Sequence, residues 1–121
     1  MTAQLFMLDT DTCIFLMRGD FQILADKVQS VPLQQQVMSA VTFAELTYGV
    51  QASAVAKRQQ NQAVLDSLAL HLAILDWPQD AAKHYAEIRA DLKKRGAQIG
   101  AADLMIAAHA RAIGAVIVTN N

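Results

Sequence analysis

Ala115-Val116-Ile117-Val118-Thr119 is an unbroken apolar run, rich in β-branched side chains, with no alternation of polar and apolar residues. A strand of that kind fits a sheet covered on both faces, and such sheets are parallel. We therefore expect it in the sheet's interior. Just before it, Ala101 to Ile113 is apolar almost all round and stops at Gly114, the pattern of a buried helix. Near the other end, Leu5-Phe6-Met7-Leu8 runs apolar and halts at Asp9-Thr10-Asp11-Thr12, residues that cap a helix, and Cys13 to Met17 supplies that helix's first apolar turns. Gly19-Asp20 interrupts before a second periodic segment, Phe21 to Val28, which Pro32 closes. Gln36 to Ala40 reads as a short strand. Ser39 or Thr42 then caps a helix with Phe43, Leu46 and Val50 at helical spacing. Ser53 to Leu70 is a long helix with a polar middle, Leu72 to Leu75 a strand, and Asp76-Trp77-Pro78 a turn. From Gln79, the recurrence of Ala81, Tyr85, Ile88 and Leu92 marks an amphipathic helix, closed by Lys93-Lys94-Arg95 and a glycine, Gly96, suited to the left-handed position. Strands alternate with helices. That order predicts an α/β fold with a parallel sheet and right-handed crossovers.

The whole chain, residues 1–121, suits one domain, and its size is enough to bury about two-thirds of the extended surface without staples. A hydrophobic fraction of 54% against 17% charged residues excludes disorder. The single Cys13 excludes an internal disulfide framework and matches a reducing, cytoplasmic setting. No apolar stretch approaches the ~20 residues of a transmembrane helix, and the start lacks a secretory pattern. A net charge of −1 argues against a uniformly basic nucleic-acid binder, so a polyanion would have to be met at a local site. The chain stops two residues after its last strand, with no polar tail or capping helix, so continuation of the natural protein beyond Asn121 is expected.

Ligands of open parallel sheets bind beyond the carboxyl ends of the strands. Two clusters lie there, Asp9 to Thr12 and Thr119 to Asn121, and two further acids, Glu45 and Asp103, sit near helix starts. Each acid has a bland reading: Asp9 and Asp11 as caps, Glu45 as a surface residue, Asp103 as a partner of the helix dipole. Asp103, however, is the only acid between Gly96 and Asn121 and lies in the most apolar helix, where an unpaired charge is costly. Two carboxylates ~4 Å apart repel by roughly 4 kcal/mol at an effective dielectric near 20, so a cluster must take up protons or cations. An all-oxygen site suits Mg²⁺ or Mn²⁺, and such ions suit phosphodiester hydrolysis. Zinc fits poorly, because His71, His84 and His109 have neither HExxH spacing nor cysteine partners and read as ordinary surface or core residues. There is no G-x-S-x-G, P-loop or G-x-G-x-x-G, and Cys13 reads as inert packing.

The stretch 7–16, Met-Leu-Asp-Thr-Asp-Thr-Cys-Ile-Phe-Leu, resembles the opening of PIN-domain proteins, specifically the VapC toxins of bacterial toxin–antitoxin pairs. Ser39 to Val50 resembles their second motif, Ile99 to Ala110 the third, and Val116 to Asn121 the start of the fourth. The resemblance implies a PIN-like three-layer α/β/α sandwich with a central, mostly parallel sheet of four to five strands. It implies a Mg²⁺- or Mn²⁺-dependent endoribonuclease that inhibits translation, with Asp9, Glu45 and Asp103 as catalytic metal-binding acids. Thr10, Asp11, Thr119 and Asn121 would support them. The family's fourth acid falls at or just after Asn121, where this chain has Asn. Lys93, Lys94 and Arg95 are candidate contacts to RNA phosphates, although completing the helix C-terminus explains them equally well. A VapB-type antitoxin, a homodimer, a larger toxin–antitoxin complex and a structured RNA substrate, with the anticodon loop of initiator tRNA a target of relatives, are implied as well.

Two other readings compete. A signalling receiver domain shares the size, the parallel sheet and the early acids, but no lysine follows Lys94, and the strand at Leu72 to Leu75 ends in Asp76-Trp77-Pro78 without a phosphoacceptor aspartate on it. A PIN module that binds RNA or a partner without cutting is suggested by the missing fourth acid.

Overall fold

The computed structural model describes residues 3–19 and 31–119. The segment expected at Phe21 to Val28, and the position of Asn121, lie outside the described residues. Four short strands, β1 (Phe6–Leu8), β2 (Gln36–Ser39), β3 (Ala73–Leu75) and β4 (Val116–Val118), form a wholly parallel sheet in the order β3-β2-β1-β4. Among the described residues five helices accompany them: α1 (Thr10–Arg18), α2 (Ala40–Ala52), α3 (Val55–His71), α4 (Ala81–Lys94) and α5 (Ala101–Ile113). A short 3₁₀ turn, Leu33–Gln35, leads into β2.

Alternate residues of each strand face opposite layers, as the pleat requires. Leu8, Met38, Ile74 and Val118 pack with Cys13 of α1, Leu46 and Val50 of α2, and Leu65 of α3. Met7, Val37, Leu75 and Ile117 turn the other way, onto Ile106, Ala110 and Ile113 of α5. The result is the α/β/α sandwich, with α4 laid against α5 and tied to it by an ion pair between Arg111 and Glu87 at 3.3 Å. The Trp77 indole N–H donates to the Met105 carbonyl at 2.9 Å, pinning the turn after β3 to α5. Among the described residues no helix is long and apolar enough to cross a membrane.

One expectation needs correction. The apolar run predicts β4 in the interior of the sheet, yet it stands at the edge of the four described strands, with Val116 47% exposed. An unalternating β-branched run reports burial of the two sheet faces and says nothing about how many neighbours a strand has. The order matters because the chain moves from β1 to β2 to β3 in one direction and then returns to the far side of β1. Connectivity therefore reverses between β1 and β4, where a crevice opens beyond the strand ends.

Candidate active site

β1 and β4 run in register, Phe6 against Val116, Met7 against Ile117 and Leu8 against Val118, so the residues that follow them emerge side by side. The Asp9 amide donates to the Val118 carbonyl at 3.1 Å, extending the ladder one step past the strand. The Thr12 hydroxyl donates to the same carbonyl at 3.0 Å. Asp9 is also the N-cap of α1: its extended backbone lets one carboxylate oxygen accept the Thr12 amide at 2.9 Å. With its amide and one carboxylate oxygen both engaged, and only 8% exposed, Asp9 has little freedom.

A cleft of about 260 Å³ opens beside it, lined by Asp9, Asp103, Thr119 and the apolar walls Ile99, Ile106 and Ile117. Asp103 enters from the first turn of α5, which starts at Gly100. The sequence suggested a buried, costly charge here. Instead Asp103 is exposed at the mouth of the cleft, because the first turn of α5 carries the apolar face inward at Leu104 and Ile106 and leaves residue 103 outward. Its carboxyl is nonetheless pushed up from the ordinary aspartate range, first by partial desolvation and then by the charges of Asp11, Glu45 and Asp9, in that order. Three carboxylates thus lie close enough to act on Asp103. Asp11 is exposed, and its charge is the strongest of the three on Asp103.

Glu45 reaches the site from α2. Thr42, Leu46 and Val50 form the buried stripe of that helix, with Phe43 half-buried, and Glu45 lies one turn from Thr42 on the exposed side. The Thr10 hydroxyl donates to its Oε1 and stands 3.5 Å from the Thr42 hydroxyl, so two buried threonines join the start of α1 to α2 and orient Glu45. Thr42 was read as an alternative helix cap; Ser39 takes that role, accepting the Val41 amide at 3.1 Å. The linkage of Thr10, Thr42 and Glu45 spans 35 residues of sequence, and no local pattern announces it.

Asp9 and Asp103 line this cleft, whereas Glu45 lines a neighbouring pocket with Ile14, Met17 and Arg18, and Asp11 stands exposed. Among the described residues no three histidine, cysteine, aspartate or glutamate side chains are drawn together as a metal centre would require. Like charges without a counter-ion repel, and Glu45 is engaged by Thr10. The donor set still fits a hard divalent cation in its chemistry: carboxylate oxygens of one sign, with mutual repulsion already expressed at Asp103.

The remaining predicted residues sort clearly. Lys93 lines a second groove next to the cleft, together with Arg89, which the sequence reading missed. Arg95 is paired with Asp91 at 2.9 Å, and Lys94 is exposed. Cys13 is fully buried, with its thiol pushed up to about 12 by burial and by the neighbouring Asp9 charge, which keeps it protonated and inert. His109 is a core residue, its Nδ1 2.8 Å from the Ser39 hydroxyl, and burial lowers its pKa so that the ring stays neutral.

A family model for the PIN domain matches residues 6–121. The tRNA(fMet)-specific endonuclease VapC of Salmonella typhimurium is 38% identical over 116 residues, covering 96% of this chain and 86% of that protein. Ribonuclease VapC2 of Rickettsia felis is 35% identical over 118 residues, 97% and 87% of the two chains. Among solved structures, VapBC2 from Rickettsia felis bound to a DNA fragment from its promoter superposes with a TM-score of 0.88 at 33% identity, covering 98% of this chain and 88% of that one. DNA-bound VapBC from Salmonella typhimurium gives 0.88 at 36% identity, with the same coverage.

Proposed function

The chain belongs to the PIN-domain family and to its VapC branch, and from that membership, joined to the meeting of Asp9 and Asp103 in one cleft with Asp11 and Glu45 near by, we infer that it is the ribonuclease toxin of a VapBC pair, a divalent-metal-dependent endoribonuclease. The observation that carries this reading is the meeting of Asp9, capping α1 after β1, and Asp103, in the first turn of α5, in one cleft where the sheet's connectivity reverses. Asp9, Asp103 and Glu45 would hold a Mg²⁺ or Mn²⁺ ion. Such an ion supplies charge stabilisation to a phosphodiester in transit and acidifies a water toward neutral pH. The chain's own residues do the positioning. Asp9 presents one oxygen to the Thr12 amide and directs the other toward the cleft, and the Thr10 hydroxyl fixes the rotamer of Glu45. Ile99, Ile106 and Ile117 keep one wall dry, which strengthens every charge interaction within. Thr119, half-buried beside Asp9, completes the polar rim.

An RNA substrate follows from relatives named as ribonucleases, and initiator tRNA from the Salmonella typhimurium relative's name. A VapB-type antitoxin as partner follows from the VapBC structures. The test is incubation of the purified, antitoxin-free chain with total tRNA and Mg²⁺, mapping the cut ends with and without EDTA. We expect discrete cuts in a single tRNA species that EDTA abolishes. Intact tRNA at every Mg²⁺ and Mn²⁺ concentration would instead favour a PIN module that binds without cutting.

A further inference from the structure

Beside the carboxylate cleft runs a larger groove of about 480 Å³, between the C-terminal half of α4 and the approach to α5, and Ile99 is a wall of both. Its cationic side is made by Arg89 and Lys93, four residues apart and therefore on one flank of α4, in line with Tyr85. Arg89 is held in place: Nη1 donates to the Tyr85 hydroxyl at 3.1 Å, and the guanidinium carbon sits 5.9 Å from the centroid of the same ring. Of the other cations nearby, Arg95 is paired with Asp91 and Arg111 with Glu87, and Lys94 is exposed but does not line the groove. Among the described residues neither Arg89 nor Lys93 has a carboxylate partner. Two unneutralised cations that do not pair with an acidic cluster next door are placed for a polyanion from outside.

We propose that this groove carries the RNA strand away from the cleft, with Arg89 and Lys93 each holding a phosphate next to the one cut. The proposal rests on the ribonuclease reading above and names the residues that position the substrate. Four residues of helix rise about 6 Å, comparable with the spacing of successive phosphates along an extended strand. Cations on such a ridge fix the strand's register without reading its bases, so their contribution is electrostatic and salt-dependent. Arg89 and Lys93 are positioning residues, since they stand in the neighbouring groove and only Ile99 is shared with the acids.

The test uses an Asp103→Asn chain, to prevent cutting, and 5′-fluorescein-labelled initiator tRNA. Fluorescence anisotropy gives the affinity across a KCl series. Adding Arg89→Gln and Lys93→Gln is expected to weaken binding at low salt by roughly tenfold or more, and to flatten the slope of log K against log salt by about 1.4, two phosphates at about 0.7 each. A control pair, Lys57→Gln with Lys83→Gln, removes the same charge outside both clefts and is expected to leave the slope unchanged. Thermal melting confirms folding, and Lys93→Gln alone, at an exposed position in the last turn of α4, gives half the effect if the double variant melts early. Equal slopes for the two pairs would overturn the proposal. So would loss of antitoxin binding by the Arg89/Lys93 variant with an unchanged tRNA slope, which would assign the groove to a protein partner. Cleavage of tRNA by the unsubstituted chain separates the two levels: cutting with an unmoved slope removes the groove alone, whereas neither cutting nor binding removes the ribonuclease reading beneath it.

Discussion

Asp9 and Ser39 do the same local job at the carboxyl ends of adjacent strands, each ending its strand in an extended conformation and accepting a backbone amide at the start of the following helix. Their surroundings differ completely. Beyond Ser39 the space is filled by the His109 ring of α5, which is buried, neutral and hydrogen-bonded to the serine. Beyond Asp9 lies an open cleft whose other polar groups are Thr119 and a second acid, Asp103, on which the Asp9 charge acts. A capping residue is thus structural where the opposing helix closes over it and available for chemistry where that helix begins too late to cover it. Between β2 and β1, the same α5 supplies a lid at His109 and an acid at Asp103, less than two turns apart.

Substitutions on the two sides test that division. The largest effect belongs to the open side. Asp103→Asn removes a carboxylate while keeping shape, and should lower the rate of tRNA cleavage by roughly a hundredfold or more, measured by gel quantitation under single-turnover conditions. Near-normal cleavage would show that the cleft does not divide from the Ser39 side in the way described. On the closed side, His109→Ala should destabilise the fold by about 2–4 kcal/mol through the cavity and the orphaned Ser39 hydroxyl, read by urea denaturation, while cleavage below the melting range stays close to normal. The pH dependence sharpens the contrast. His109 has a lowered pKa in the fold, so its contribution is present above the unfolded value of about 6.5 and is lost as pH falls. His109→Ala should therefore melt with a flatter acid limb.

The smallest effect has the opposite sign. Asp103 holds its proton more tightly folded than unfolded, so its contribution to stability is present below about pH 3.9 and is lost as pH rises through its raised pKa. At neutral pH and low salt the inactive Asp103→Asn chain should melt slightly above the unsubstituted one, by calorimetry, with the gap shrinking as salt screens the repulsion. A lower melting temperature would mean that Asp103 is an ordinary helix-start charge.

Much of the scaffold was readable because local rules and tertiary demands agree. Leu5 to Thr12 reads as strand and cap, and β1 with α1 follows it. Gly96, at φ 67°, and Gly114, at φ 70°, close their helices in the left-handed conformation that glycine adopts without strain. What was not readable depends on which elements meet. The position of β4 at the described edge, the exposure of Asp103 and the tie from Thr10 to Glu45 are facts of pairing across long separations, on which periodicity within one element is silent. Arg89 was missed for a related reason: on an amphipathic helix it is one more exposed cation until a neighbouring helix start makes a groove of its flank.

The two donors that meet at the Val118 carbonyl come from residues 9 and 12, across the span of nearly the whole chain. During synthesis, then, β1 can pair early with β2 but waits through more than a hundred further codons before its second neighbour, β4, exists. At a few to twenty residues per second that is a delay of seconds. A nascent chain therefore spends that interval with Asp103 unmade and the Asp9 side of the cleft open.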